Sequence, residues 1–127
     1  MNMRVASSYL AGILFLSCIP MIQGGTPVYG VPPVAAQEQE GSRGLIYQAS
    51  QATEHAWEEF HAAAIGGTLA SPAVQSSIER QLHEARALLM EARKAERDNQ
   101  FDAVNTLTLK IMQITQNIVQ ASREKKQ

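Results

Sequence analysis

The sequence has one cysteine, a small aromatic content of 6% and no excess of positive charge. The cysteine, Cys18, lies in the apolar N-terminal segment. Removal of that segment would leave a chain with no disulfide and no cysteine-based metal site. The 11 basic and 12 acidic side chains give a net charge of −1. This balance argues against recruitment of nucleic acid or of an anionic membrane by overall charge.

The motifs of common catalytic centres are also absent from the sequence. No Ser/His/Asp or Cys/His arrangement and no Cys-x-x-Cys-His haem attachment can be read from it. The pair Gly66 and Gly67 stands alone, outside any glycine-rich phosphate loop. We therefore expect no enzymatic activity and no resident cofactor.

The first 36 residues have the pattern of a secretory signal peptide. Arg4 supplies a positive charge, and the run over 5–22 is uncharged, with a dense apolar centre at 10–16. Small residues at 34–36 then fit a signal peptidase site. The dense run is short for a transmembrane helix, which needs about 20 apolar residues. The sequence thus predicts an exported protein, periplasmic or extracellular, whose mature chain begins at Gln37.

Two alternatives would keep the protein at the membrane. An uncleaved N-terminal segment would act as an anchor, followed by a linker rich in proline and glycine. The stretch Phe15-Leu16-Ser17-Cys18 also resembles a lipoprotein signal, in which the cysteine becomes lipidated. Phe15 and Leu16 depart from the residues that such signals prefer, and the three possibilities stay open.

After the predicted cleavage site, the chain reads as a lead-in followed by a helix. Residues 37–44 are polar and contain Gly41 and Gly44, which predicts a flexible segment. The next segment, 45–65, places apolar and small residues on one helical face, and Gly66-Gly67 ends it. The members of this face are Ile46, Ala49, Thr53, Ala56, Phe60 and Ala63.

The clearest pattern is a helical hairpin over 74–121 with a tight turn at 98–100. Its first arm starts at Ser71-Pro72, a capping serine followed by proline in the first helical turn. Asn99 is the expected N-cap of the second arm. Each arm carries apolar residues at alternating intervals of three and four: Ile78, Leu82, Ala85, Leu89 and Ala92, then Val104, Leu107, Ile111, Ile114, Ile118 and Ala121.

Stripes with this spacing suit helices that cross at a shallow angle, and short connections make consecutive helices antiparallel. The sequence therefore predicts an all-α domain, a three-helix up-down-up bundle over 45–122. Residues 123–127 should form a polar tail that frays into solvent.

One candidate site is a group of histidine and glutamate residues on the first helix. Glu54, His55, Glu58 and His61 combine imidazole and carboxylate groups at helical spacings. Such a ligand set suits weakly bound Zn²⁺, Cu²⁺ or Ni²⁺. The simpler interpretation is a solvated acidic face with exposed histidines.

The other candidate is a strip beside the main stripe of the last helix. Phe101, Met112 and Val119, together with Thr108 and Thr115, widen the apolar arc of that helix. A helix that touches two neighbours needs a broad core face, which accounts for the strip without a partner. Alternatively, part of it docks a partner protein or a second copy. We favour an exported protein that works through protein contacts, with metal binding as the alternative function.

We expect the exported chain to begin at Gln37, because a small residue precedes the predicted cut. Ala36→Lys should retain the precursor, whereas Ala36→Ser should be processed normally. Intact mass measurement of the protein recovered after export distinguishes these forms. A lipid-modified mass at Cys18, or a full-length chain in the membrane fraction, would contradict the prediction.

Overall fold

The computed structural model describes Gly30 and residues 32–124. The predicted signal segment therefore lies outside the described residues, apart from its last few positions, and so do residues 125–127. The described part contains three α helices packed against each other, which confirms the predicted all-α three-helix bundle. They are α1 (Val34–Ile65), α2 (Pro72–Arg97) and α3 (Phe101–Arg123).

Ion pairs between the helices show their relative directions. Arg43, near the start of α1, lies 3.2 Å from Glu96 at the end of α2, so these helices are antiparallel. Arg123, the last residue of α3, lies 2.8 Å from Glu59 towards the end of α1. Helices α1 and α3 are therefore parallel, as an up-down-up bundle requires.

The core is built from one stripe of each helix. All five predicted stripe residues of α2 are buried, and those of α3 are buried or half-buried. Leu69, in the connection after α1, is also buried and belongs to the same core. The largest fully buried apolar side chains are Ile78, Val104, Ile111 and Ile118.

Helix α1 contributes small residues to this core at intervals of seven. The row consists of Ser42, Ala49, Ala56 and Ala63, all of them buried. A heptad interval keeps a row on one side of a helix that packs at a shallow angle. Small side chains in such a row allow the neighbouring helices to approach closely.

Helix α3 has a matching row of hydroxyl residues, Thr108, Thr115 and Ser122, also buried. Each hydroxyl donates a hydrogen bond within its own helix: Thr108 to the Val104 carbonyl at 2.8 Å, Thr115 to the Met112 carbonyl at 2.9 Å, and Ser122 to the Ile118 carbonyl at 2.8 Å. Among the described residues, no buried side-chain nitrogen or oxygen lacks a partner. Thr108 and Thr115 thus belong to the core, which needs a broad face because α3 contacts both other helices.

The connections use residues whose backbone preferences fit their positions. Ser71 accepts a hydrogen bond from the Val74 N–H at 3.2 Å, and Pro72 follows in the first turn, as predicted. Gly67 ends α1 with a φ of 63°, a left-handed conformation that costs glycine little. The Thr68 N–H then closes the helix end on the Ala63 carbonyl.

The predicted role of Asn99 is wrong. Its φ of 57° places it in the left-handed region, where it closes α2 instead of capping α3. The Asn99 N–H donates to the Glu96 carbonyl and the Gln100 N–H to the Ala95 carbonyl, the Schellman pattern of a helix C-terminus. Asparagine suits both helix ends, and here the C-terminal role prevails. Helix α3 begins after Gln100 with no side-chain cap.

The expected flexible lead-in over 37–44 is also wrong, because these residues lie inside α1. This part of α1 runs beside the connection between α2 and α3, where Glu38 borders the same hollow as Phe101. Ser42 is buried, and Arg43 reaches Glu96. These tertiary contacts outweigh the low helical preference of the two glycines. The domain limits are correspondingly wider than 45–122, and Arg123 does not fray but ends α3 in an ion pair with α1.

Adjacent residues of α2 provide a stability test of the core. Leu89 is 8% exposed and Met90 is 70% exposed. Leu89→Ala should lower the free energy of unfolding by about 2–5 kcal/mol, because it removes buried methyl groups and leaves a cavity. Met90→Ala should change it by less than about 0.5 kcal/mol. Urea unfolding followed by circular dichroism measures both, and equal losses would contradict this placement of the core.

Candidate interaction surface and histidine face

A shallow groove with a volume of about 310 Å³ runs between α1 and α3. Its apolar floor is open to solvent, since Met112 is 42% exposed and Val119 is half-buried. The residues that line it are Ala52, His55, Met112, Thr115, Gln116 and Val119.

The structure brings together two of the three predicted partner-binding residues. Met112 and Val119 are seven residues apart and therefore share one side of α3. Phe101 lies at the start of α3, about 16 Å along the helix from Met112. It is half-buried and borders a separate hollow beside Asn99. His55, predicted for the metal site, lies instead in the groove with Met112 and Val119.

A second regular row on α3, which we call the outer seam, runs through this groove and onto the exposed face. Leu109, 63% exposed, and Met112 lie on it. Its intervals are 4, 3, 4, 3 and 4, the same alternation as in the core stripe. It consists of Asn105, Leu109, Met112, Gln116, Val119 and Arg123.

The partner-binding residues predicted from the sequence are Phe101, Met112 and Val119, and Leu109 is not among them. The intervals of the outer seam can be read from the sequence. They are less evident than those of the core stripe, because the core stripe contains most of the apolar residues of α3. The structure distinguishes the two faces of α3. Thr108 and Thr115 are buried and belong to the core face, whereas Leu109 and Met112 are exposed and belong to the outer seam.

The surface around the outer seam carries little charge. Between Asp102 and Arg123, α3 has a single charged residue, Lys110. Its ammonium group lies 2.9 Å from the carboxylate of Glu84 on α2, away from the seam. The exposed polar residues of this face are otherwise uncharged: Asn105, Thr106, Gln113, Gln116, Asn117 and Gln120.

The histidines of α1 have neighbours on different sides of the helix. The His61 ring stacks on Trp57, with ring centres 5.5 Å apart and planes at 22°. Arg86 of α2 lies 5.0 Å from the centre of the Trp57 ring, a cation–π contact. His55 faces the other way, with Nε2 3.9 Å from a carboxylate oxygen of Glu59.

Glu54 and Glu58 are exposed on the far side of α1 from the core. Within Gly30 and residues 32–124, no three His, Cys, Asp or Glu side chains are grouped so that they could hold a metal ion. The geometry therefore adds no support to a site made of Glu54, His55, Glu58 and His61, and metal binding there stays a prediction from sequence.

An ion pair between Glu59 and Arg123 borders one end of the outer seam. The guanidinium donates two hydrogen bonds to the carboxylate, from Nε at 3.0 Å and from Nη2 at 2.8 Å. These bonds, with the positive charge of Arg123, hold the pKa of Glu59 below its ordinary value of 4.5. The same pair raises the pKa of Arg123. The contact fixes the end of α3 against α1.

The fold and this surface define a small helical bundle with a regular, largely uncharged row of residues at the surface of one helix. No protein family, no curated protein and no solved structure matches the chain. Of the helices formed by the described residues, none has the length and apolar character needed to span a bilayer.

The Glu59–Arg123 pair predicts a pH dependence of stability. Because the pKa of Glu59 is lower in the folded than in the unfolded chain, its stabilising contribution is complete above about pH 4.5 and is lost as pH falls through the folded value. Glu59→Gln should therefore lower the melting temperature at pH 7 and have a smaller effect near pH 3.

Glu58→Gln is a matched control at the neighbouring exposed glutamate. It should keep the wild-type difference in melting temperature between pH 7 and pH 3. A Glu59→Gln effect of equal size at both pH values would show that the carboxylate charge is not what stabilises the contact.

Proposed function

We propose that the protein is an exported, non-enzymatic binding protein that packs the outer seam of α3 against a helix of another protein chain. The observation that carries this proposal is the exposure of Leu109 and Met112 on a seam whose surroundings carry little charge. Alternating intervals of three and four are the spacing by which one helix packs along another. The core stripe of α3 already uses this spacing inside the bundle, and the outer seam repeats it on the exposed side.

The chemistry of the seam supports a helical partner. Leu109 and Met112 supply apolar contacts at adjacent turns and Val119 supplies another two turns further on, as in complexes where an amphipathic helix lies in a groove. The groove beside them is bordered by Ala52 of α1, whose small side chain leaves room. Methionine adapts its shape to a partner because its side chain is unbranched and flexible.

The low charge of this face supports the same proposal. Charged residues are depleted at the centre of protein interfaces because burying an unpaired charge is costly. The face of α3 fits this rule, whereas the outer face of α2 carries charges of both signs, including Arg80, Glu91 and Arg93. Of these two surfaces, α3 is the one suited to burial.

The N-terminal sequence supports action outside the cytoplasm. A basic start, an apolar run and small residues before Gln37 are the pattern of an export signal. We propose that the bundle works in the periplasm or outside the cell, with an anchored form if the segment is retained or Cys18 is lipidated.

Photocrosslinking in living cells tests the docking function. A photoreactive amino acid at Met112 should give a discrete protein adduct, because this position faces the proposed partner. The matched control is Asn117, an exposed residue of α3 that lies off the seam. The same probe there should give no adduct.

A second substitution shows whether the adduct depends on the seam. Leu109→Asp should abolish the cross-link from Met112 while the circular dichroism spectrum stays helical, since Leu109 is exposed. Equal cross-linking from Met112 and Asn117, or none from Met112, would contradict the proposed function.

A further inference from the structure

We propose that the exported protein is covalently modified at Gln37, whose side chain closes on the new chain terminus to form pyroglutamate. This inference rests on the export part of the proposed function, because Gln37 becomes the first residue only when the signal segment is removed. It is independent of the docking surface of α3. The observations that carry it are the exposure of the start of α1 and the place of the predicted cut within that helix.

The predicted cut falls in the first turn of α1 and removes only exposed residues. Helix α1 begins at Val34, and the residues of this helix before Gln37 are all exposed. The first buried residue of α1 is Ser42, and the adjacent Arg43 forms an ion pair with α2. A chain that begins at Gln37 therefore keeps all the buried residues of α1. Its terminus lies about 7 Å along the helix from the first of them.

Cleavage creates the nucleophile for the modification. In the precursor, the nitrogen of Gln37 belongs to the peptide bond with Ala36, and its lone pair is delocalised into the carbonyl group. After cleavage the same nitrogen is a primary amine. In its neutral form, this amine attacks Cδ of its own side chain and closes a lactam ring that contains the nitrogen, Cα, Cβ, Cγ and Cδ.

The reaction needs no other reactant. A bond forms between the α-nitrogen and Cδ of Gln37, and the bond between Cδ and Nε2 breaks. The side-chain nitrogen leaves as ammonia with the proton that the amine gives up. The product is a neutral lactam, so the positive charge of the chain terminus is lost. Because Gln37 is exposed, its side chain is also accessible to an enzyme that accelerates the cyclisation.

The dipole of α1 favours the cyclised form. Partial positive charge at the start of a helix destabilises an α-ammonium group and stabilises carboxylates. The helix that begins at Val34 has no acidic residue in its first turn. After the cut, Glu38 and Glu40 become the second and fourth residues of the chain, and both are exposed. Cyclisation removes the charge that the dipole opposes and leaves these two carboxylates in the first turn.

The modified terminus should protect the start of α1 from proteolysis. Exposed chain ends are the places where proteolytic attack concentrates, and this one precedes the first buried residue of the helix. Aminopeptidases bind the free α-amine of their substrate, and the lactam has none. The modification thus suits a bundle that works in the periplasm or outside the cell.

Intact mass and amino-terminal sequencing of the wild-type protein recovered after export test the modification. The mass should equal that of residues 37–127 less one molecule of ammonia. Edman degradation should give no sequence, because it also requires a free α-amine. After the unfolded protein is treated with pyroglutamate aminopeptidase, Glu38 should appear in the first cycle.

Two matched variants locate the loss of ammonia. Gln37→Ser keeps a polar residue after the cut but cannot form the lactam. It should therefore have the full mass of its exported chain and give serine in the first Edman cycle. Gln39→Ser makes the same change two residues further along α1, where the nitrogen stays in a peptide bond. It should keep the blocked terminus and the missing ammonia.

The outcomes separate this inference from the proposed function. A chain that begins at Gln37 with a free α-amine overturns the modification and leaves export standing. A chain that begins at another residue overturns the modification together with the predicted cut, and a full-length precursor retained in the cell also contradicts export. Loss of ammonia that persists in Gln37→Ser lies elsewhere in the chain and overturns the inference. The cross-link from Met112 tests the docking function separately in every case.

Discussion

The bundle depends on a shared seven-residue repeat of its three helices. Small residues on α1, hydroxyl residues on α3 and large aliphatic residues such as Ile111 and Ile118 all recur at this interval. A straight α-helix has 3.6 residues per turn, so a seven-residue row stays in one contact only when helices pack nearly side by side. The repeat therefore favours packing side by side along the length of the helices, whereas the short connections between consecutive helices set the parallel course of α1 and α3.

The same constraint shapes the surface of α3. Once Thr108 and Thr115 lie in the core, the next row around the helix falls at the edge of the groove and inherits the seven-residue interval. Met112 and Val119 belong to this row, as does Asn105. A regular exposed row thus follows from the regular core. The residue types in that row decide whether it can bind another chain. On α3 these residues are apolar or uncharged for most of the helix length.

The sequence predicted the elements that depend on local pattern, and missed those that depend on neighbours. The stripe residues, the Ser71 cap and the glycine stop after α1 follow from periodicity and backbone preference. The early start of α1 does not, because Gly41 and Gly44 favour a loop, and the burial of Ser42 and the ion pair of Arg43 with Glu96 hold this stretch in the helix. Similarly, Asn99 suits either helix end, and the stack of His61 on Trp57 requires side-chain positions that spacing alone does not give.

The buried hydroxyl row of α3 bears on the proposed passage of the chain across a membrane. Threonine has nearly the shape of valine but carries a hydroxyl group in place of one methyl group. With valine at positions 108 and 115, the segment from Val104 to Ala121 would move closer to a sequence that a translocation channel releases into the bilayer. In the folded bundle, these hydroxyl groups donate hydrogen bonds to backbone carbonyls of their own helix. Threonine thereby combines a shape that packs well in the core with a low tendency to enter lipid, which would suit the proposed export of this chain.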